Sequence, residues 1–232
     1  DVALVGGGSF PQPGEISLAH NGVLFLDELT LFSRASLETL RQPLEDGRVT
    51  VTRNAITATY PGNIMLVCAM NPCPCGYLYD PVHDCTCTDI ARQRYLSRIS
   101  GPLLDRIDIC VKVDPLDADV LIDHPHRYEE SSSDIRARVN KARAIQLERF
   151  AGTDVVCNAQ MTPRMVRTYC ELSQPAKDLL RHAFTNLSFS ARANDKILRT
   201  ARTIADLDGA EEISSSHLAE AIAFKQMDIS NK

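Results

Sequence analysis

The sequence lacks the features that mark three large classes of protein. Its 232 residues contain no apolar run near the roughly 18 that cross a bilayer, and we expect no membrane partner. No basic segment leading into an apolar core opens the chain, which predicts a reducing, cytoplasmic location. Acidic residues outnumber basic ones by 30 to 25, so the chain has no overall positive field, and any contact with nucleic acid has to be local.

Short apolar segments in the first half of the chain predict an α/β fold. The runs at residues 22–27, 63–72 and 108–113 indicate strands of a parallel sheet that is covered on both faces. Residues 48–62 alternate between β-branched and polar side chains around a polar tip, which is typical of a β-hairpin.

The second half of the chain carries helical patterns and no convincing strand. Amphipathic segments with cap residues such as Ser133 and Ser190 recur up to the end of the chain. We therefore predict an α/β core over residues 1–115, a linker over 116–132 and an all-α domain over 133–232.

The first predicted strand runs directly into two carboxylates, Asp27 and Glu28. Ligands of parallel α/β sheets bind beyond the carboxyl ends of the strands. In nucleotide hydrolases, one carboxylate at such a place holds Mg²⁺, and a second orients the attacking water. The alternative is that Asp27 caps a helix and Glu28 is a solvated side chain.

Three further polar side chains are candidates for the same site. Asn71 ends the next apolar run and could position the same water, although Asn-Pro is also a common turn dipeptide. Arg106 precedes the third run and could reach the γ-phosphate of a neighbouring subunit, or pair with Asp105 or Asp108 at the surface. Arg192 lies at the start of a helix in the second half.

Five segments, in this order, resemble the magnesium-chelatase-like subfamily of the AAA+ ATPases, whose bacterial members include competence-associated branch-migration helicases. They read PGEISLAHNGVLFLDEL, LRQPLEDGRVTVTR, AMNPCPCGY, ISGPLLDRIDI and ARTIADL. The resemblance implies a P-loop NTPase core with a helical lid, ATP and Mg²⁺ as cofactors, and a hexameric ring of identical subunits.

The same resemblance implies roles for individual residues. Asp27 and Glu28 take the Walker B positions, Asn71 that of sensor 1, Arg106 that of the arginine finger and Arg192 that of sensor 2. Arg199 and Arg202 are alternatives to Arg192, and Arg94 and Arg98 are further candidates for contact with a neighbouring subunit.

One motif of the family is missing from this sequence. No G-x-x-x-x-G-K-[ST] loop precedes the acidic strand, and the glycines at residues 6–8 have no lysine after them. We therefore expect the chain to be the C-terminal part of an ATPase that by itself binds ATP weakly or not at all and does not hydrolyse it.

Four of the eight cysteines crowd into one short segment, as Cys73-x-Cys75 and Cys85-x-Cys87. Four thiolates can hold Zn²⁺ in a closed, structural tetrahedral site, with His83 as a reserve ligand. The single-residue spacing is shorter than that of most zinc sites, and free thiols or disulfides are the alternatives. The segment is rich in Pro, Gly and Asp, so a metal ion would supply stability that its side chains do not.

The tip of the predicted hairpin, Arg53 and Asn54, is the candidate contact with DNA. A strand threaded through a ring would be held there by phosphate contacts that carry no sequence information. The alternative is a solvated turn.

Two other functions remain open for the whole chain. One is a magnesium-chelatase subunit that drives metal insertion into a porphyrin. The other is a zinc-stabilised interaction module without nucleotide chemistry.

Overall fold

A computed structural model describes residues 2–53, 56–114, 130–187 and 189–226. The described chain divides into two units, one that ends at Ile107 and one that starts at Asp108. The sequence placed the end of the core at residue 115. Most of the predicted linker, 116–132, lies outside the described residues, so these domain bounds stay a prediction.

The first unit combines short helices with three pairs of strands. Its strands are β1 (Gly6–Gly7), β2 (Gln12–Pro13), β3 (Val23–Leu26), β4 (Arg48–Arg53), β5 (Ile56–Pro61) and β6 (Met65–Cys68). Its helices are α1 (Val2–Val5), α2 (Glu15–Leu18), α3 (Arg34–Glu38), α4 (Arg41–Asp46), α5 (Asp89–Leu96) and α6 (Gly101–Leu104), with a 3-10 turn at Leu29–Leu31.

The pairing of β3 with β6 confirms the small parallel sheet. The two strands are in register from Val23 opposite Met65 to Leu26 opposite Cys68. Strands β4 and β5 form the predicted antiparallel hairpin, and β1 pairs with β2 in the same sense. Because β3 and β6 run in parallel, their carboxyl ends lie at one edge of the sheet.

Only one face of this sheet is covered in the described part of the chain, where the sequence predicted cover on both faces. Leu24 and Leu26 are buried, whereas Val23 and Phe25 are 58% and 57% exposed. On β6, Met65 and Val67 are exposed as well. The apolar core of this unit includes the two leucines of β3 together with Ile16, Leu29, Leu37, Leu40, Val49, Ile99 and Leu103.

The second unit is built from helices around its own apolar cluster. They are α7 (Ser132–Arg149), α8 (Pro163–Tyr169), α9 (Gln174–Leu187), α10 (Ala191–Leu207) and α11 (Ser215–Gln226), with a 3-10 turn at Asn158–Gln160. Phe150, Met161, Ile197, Ile213 and Leu218 are its largest fully buried apolar side chains. No helix in the described ranges is long and apolar enough to span a bilayer.

Helix α7 begins one residue before the predicted position. Its N-cap is Ser131, because the Ser131 hydroxyl accepts from the backbone N–H of Asp134, and the Asp134 carboxylate accepts from the N–H of Ser131. This reciprocal capping box satisfies two backbone donors, which Ser133 could not do.

The third predicted strand, residues 108–113, is not a strand. The backbone N–H of Cys110 donates to the carbonyl of Phe224 at the end of α11, so the segment lies against a helix. Its alternating apolar residues, Ile109, Val111 and Val113, are exposed. An apolar alternation predicts a strand only where a neighbouring strand supplies backbone partners.

A buried ion-pair network lies inside the second unit. The Asp206 side chain is fully buried and accepts from Arg149 Nη1 at 2.7 Å, Asn158 Nδ2 at 2.7 Å and Arg202 Nε at 3.1 Å. Burial raises the pKa of Asp206, but the hydrogen bonds and positive charges of its partners outweigh burial and lower it overall.

Replacing Asp206 with alanine is expected to lower the free energy of unfolding of the second unit by about 3–5 kcal/mol, because the buried Arg202 and the largely buried Arg149 lose their counter-charge. The lowered pKa means that this stabilisation is present above the ordinary carboxyl value of 3.8 and is lost as the pH falls through the lower folded value. Urea unfolding followed by circular dichroism should therefore show a gap between wild type and variant that narrows in acid.

The matched control is Asp178→Ala, which removes an exposed carboxylate paired with Arg181 in the same unit. Exposed pairs contribute about 0–1 kcal/mol. Equal effects of the two substitutions would contradict the assignment.

Candidate functional site

The two carboxylates that follow β3 lie on a tight turn with an unusual backbone. Glu28 has φ 49° and ψ 47°, the left-handed region that non-glycine residues rarely adopt. Such a conformation costs on the order of 1–3 kcal/mol and persists where neighbouring contacts fix it. The Asp27 Oδ1 atom accepts from the Glu28 N–H at 2.8 Å, and both side chains are exposed.

This acidic turn, Asp27–Leu31, is tied to the end of the neighbouring strand. The Ala69 N–H donates to the Leu26 carbonyl, and the Leu29 N–H donates back to the Ala69 carbonyl, each at 3.0 Å. Asn71 follows two residues later and is exposed. The backbone thus brings Asp27, Glu28 and Asn71 to the same edge of the sheet, as the strand ends indicate.

Arg106 is held inside its own unit in this structure. Its guanidinium donates to the carbonyls of Arg41 and Pro102, at 3.2 and 2.8 Å, and forms an ion pair with Glu45. Its side chain is only 11% exposed. The sequence offered Asp105 and Asp108 as partners and gave no sign of Glu45, which is 61 residues away.

The sensor-2 candidates belong to the second unit. Arg192 is exposed near the start of α10, and its role stays a prediction. Arg199 donates to the Met161 carbonyl, and Arg202 donates to the carbonyls of Glu211 and Ala210 besides Asp206. Arg202 is 3% exposed, so as a nucleotide contact it would first have to leave this network.

A contact that sequence reasoning missed lies on the acidic turn. Arg98 Nη1 donates to the Thr30 carbonyl at 2.6 Å, across 68 residues of sequence. Thr30 is fully buried, and its hydroxyl has no hydrogen-bond partner in the described part of the chain. No local pattern points to this contact, because a backbone carbonyl can accept from any donor.

The four cysteines of the predicted metal site meet in space. The Sγ atoms of Cys73, Cys75 and Cys85 are separated by 3.4 to 3.7 Å, and with Cys87 all four lie within 4.8 Å of one another. Zinc–sulfur bonds of about 2.3 Å in a tetrahedron place the sulfurs about 3.8 Å apart. The cluster could therefore hold one metal ion of this kind.

The protonation of the cluster without a cation is uneven. The backbone N–H of Tyr77 lowers the pKa of Cys75 to about 6, whereas burial raises the pKa of Cys87 to about 12. Burial also raises the pKa of Cys73. Arg92 Nη1 donates to Cys85 Sγ at 4.0 Å.

His83, the reserve ligand, stays outside this cluster. Its Nδ1 atom lies 3.1 Å from an oxygen of Asp80, and its ring is 4.9 Å from that of Tyr77. The described residues thus give a four-sulfur set without histidine.

The structure describes one of the two residues predicted to contact DNA from the hairpin. Arg53 is exposed at the end of β4, while Asn54 lies outside the described residues. Behind the tip, Thr50 faces Thr59 and Thr52 faces Thr57, with their hydroxyl oxygens 3.3 and 3.1 Å apart. This exposed face is polar and carries hydrogen-bonding groups that suit a phosphate backbone.

Family models match most of the chain. Residues 1–121 match the model of magnesium chelatase, subunit ChlI, and residues 129–225 match the model of the C-terminal part of that subunit.

Individual relatives give the same picture. The chain is 44% identical over 225 residues to the competence protein ComM of Haemophilus influenzae. The matched segment covers 97% of this chain and 43% of ComM. It is 41% identical over 227 residues to the uncharacterized protein YifB of Salmonella typhimurium, and the match covers 98% of this chain and 44% of YifB. The magnesium-chelatase 38 kDa subunit of Acidiphilium rubrum is 24% identical over 220 residues, and the match covers 93% of this chain and 55% of that subunit. The chain thus spans less than half the length of ComM and YifB.

Proposed function

The chain belongs to the magnesium chelatase ChlI family, and from this premise we propose that it is part of an AAA+ motor that hydrolyses ATP and moves DNA. The observation that carries the proposal is the acidic turn. Two exposed carboxylates follow a parallel strand, and backbone hydrogen bonds tie them to the strand end that carries Asn71.

The residues on this turn fit Mg²⁺, which the family implies together with ATP. Carboxylate oxygens are the ligands that Mg²⁺ prefers, and such sites usually need only one or two of them. Asp27 would hold the ion, which would neutralise phosphate charge when it is bound. Glu28 would accept a hydrogen bond from the attacking water, and the Asn71 amide would help to orient that water.

Two arginines would complete the site in a ring of identical subunits, which we propose to be a hexamer. Arg106 would act on the nucleotide of the neighbouring subunit as an arginine finger, after release of its bond to Glu45. Arg192 would contact the γ-phosphate, and the helical second unit that carries it would act as a lid.

The exposed sheet face supports the proposal that a further segment is required to complete the ATPase core. Val23, Phe25, Met65 and Val67 form an apolar surface on strands whose pattern indicates cover on both faces. We propose that a preceding segment with the phosphate-binding loop covers it, and that the chain alone does not hydrolyse ATP.

DNA is the proposed partner of the hairpin. The 44% identity to a competence protein supports this reading over metal insertion into a porphyrin, for which the named relative is 24% identical. Arg53 and Asn54 would contact phosphates in the pore of the ring without reading the base sequence.

Structural Zn²⁺ is the proposed occupant of the cysteine cluster. Sulfur separations of 3.4 to 3.7 Å fit a tetrahedral thiolate site, and four protein ligands leave no position open for a substrate. The ion would hold the segment 73–87 together and make no contact with ATP.

The proposed function is tested by ATP hydrolysis with any residues that precede Asp1 in the native protein restored. We expect single-stranded or branched DNA to stimulate turnover several-fold. Arg53→Ala should abolish this stimulation without lowering the basal rate. Turnover indifferent to DNA would favour the chelatase function. Absence of turnover with and without DNA would favour the interaction module.

A further inference from the structure

The direction of the Glu28 side chain depends on a backbone conformation that is disfavoured on its own. Glu28 is in the left-handed region, so relaxation to an ordinary conformation would swing its carboxylate away from the position shown. The contacts that hold the turn therefore also hold the carboxylate.

Local hydrogen bonds fix only part of this turn. The Asp27 carboxylate accepts from the Glu28 N–H, and the Leu31 N–H donates to the Glu28 carbonyl at 2.7 Å. Both bonds lie within the turn and move with it. The Leu29 N–H bond to Ala69 fixes its first half to the sheet.

Arg98 fixes the second half from a distant part of the chain. Its guanidinium donates to the Thr30 carbonyl at 2.6 Å, a short bond from a charged donor. Within the part of the chain that the structure describes, this bond joins the acidic turn to the α5–α6 region.

The backbone around Arg98 is itself well anchored. Ile99 is buried in the same apolar cluster as Leu29, and Ser100 caps α6 by accepting from the Leu103 N–H. Thr30, on the accepting side, is fully buried. Both ends of the contact are therefore held in place, and little further ordering is needed to form it.

We propose that Arg98 is a positioning residue for Glu28, acting through the Thr30 carbonyl. The guanidinium holds the carbonyl of Thr30, the middle residue of the 3-10 turn, and this contact keeps Glu28 in its left-handed conformation at the end of β3. Its consequence for catalysis rests on the function proposed above. This role within one subunit differs from contact with a neighbouring subunit, because the donor atom is already engaged within the same unit.

The direct test is amide hydrogen exchange at Leu29 and Leu31, measured on the protein with any residues that precede Asp1 restored. Arg98→Gln should speed exchange at both amides about tenfold or more, since a hydrogen bond from a charged donor is lost. Arg98→Lys keeps one charged donor and should cause a smaller change. Exchange at Phe150, whose N–H donates to Gln146 in the second unit, should not change.

Two matched variants separate this bond from charge and packing. Arg48→Gln removes the same charge from an exposed position on β4 and should leave the turn unaffected. Thr30→Val keeps the backbone carbonyl and removes only a buried hydroxyl without a partner, so it should leave exchange at Leu31 unaffected or slower. Unchanged exchange in Arg98→Gln, or equal changes in the Lys and Gln variants, would overturn the proposal.

A kinetic measurement on the same proteins adds the functional consequence. Arg98→Gln should lower kcat about tenfold with little change in KM for ATP, because a misplaced Glu28 affects the chemical step more than binding. A normal kcat in a variant with faster exchange would overturn the catalytic part of the proposal. If wild type shows no turnover, the proposed function fails, and the exchange data still decide whether Arg98 fixes the turn.

Discussion

Replacing Glu28 with glutamine is expected to lower ATP turnover at least about 100-fold in the protein with any residues that precede Asp1 restored. Glutamine keeps the size of the side chain but removes the negative charge that, in the proposed function, would polarise the attacking water. A positioned base of this kind typically contributes about 10²–10⁴-fold to rate. Single-turnover hydrolysis of radiolabelled ATP measures the chemical step directly.

The affinity for MgATP should change little, in contrast to the rate of hydrolysis. Because the glutamine variant keeps Asp27 and the backbone of the turn, its affinity for MgATP should stay within a few-fold of wild type. Asp27→Asn should instead raise the Mg²⁺ concentration needed for half-maximal turnover. Glu148→Gln, at an exposed position of α7, serves as the matched control and should turn over ATP at the wild-type rate.

The outcome that contradicts this assignment is turnover above half of the wild-type rate in the Glu28 variant. The base would then lie elsewhere, and the left-handed conformation of Glu28 would need another explanation. Loss of MgATP binding together with turnover would also count against the stated role, since it would indicate a contact made in the ground state.

The sequence predicts the acidic edge of the sheet because strand ends are local features. An apolar run that stops at Asp27, and another that stops at Asn71, need only pair in parallel to bring these residues to one edge. The register of β3 with β6 confirms that pairing. The hairpin is local in the same sense, and its alternation is reproduced in β4 and β5.

Contacts between distant segments could not be predicted in the same way. Arg106 with Glu45 and Arg98 with Thr30 are 61 and 68 residues apart. Neither periodicity nor a motif indicates which acceptor a guanidinium reaches when several lie within its length. The pattern at residues 108–113 fails for a related reason, because it indicates a strand without showing whether a partner strand is present.

The cysteine cluster lies between these two cases. The sequence shows four sulfurs in pairs, but the C-x-C spacing does not show whether the pairs meet across the residues between them. In the structure the turns at 73–87 bring them together, while Cys73 is the only residue of that segment that is buried. A segment with so little apolar cover has few other sources of stability.

Removing metal from this cluster is therefore expected to unfold residues 73–87. We expect about one zinc per chain in protein purified under reducing conditions, and almost none in the double variant Cys85→Ser, Cys87→Ser. In small zinc domains the ion contributes about 10–16 kcal/mol of apparent binding free energy, much of which is folding free energy. Elemental analysis gives the zinc content, and protease digestion or amide exchange reports on the segment.

The exposed side chains of the segment make the expected loss large. Tyr77, Tyr79 and Val82 are 43%, 42% and 81% exposed, so little apolar burial would remain to hold the loop once the thiolates are released. Cys157→Ser, which alters a cysteine outside the cluster, should keep both the zinc and the protection of the segment.

The position of the segment gives the metal a consequence beyond the loop. Cys73 follows Asn71 by two residues, and α5, which begins two residues after Cys87, leads to Arg98. Unfolding between these points should therefore loosen Asn71 and the Thr30 carbonyl together. Removal of zinc from the protein with any residues that precede Asp1 restored, assayed with Mg²⁺ in excess, should therefore lower kcat although the zinc makes no contact with ATP. Far less than one zinc per chain in reduced protein, with the segment still protected, would show that the loop holds itself together and would remove this link.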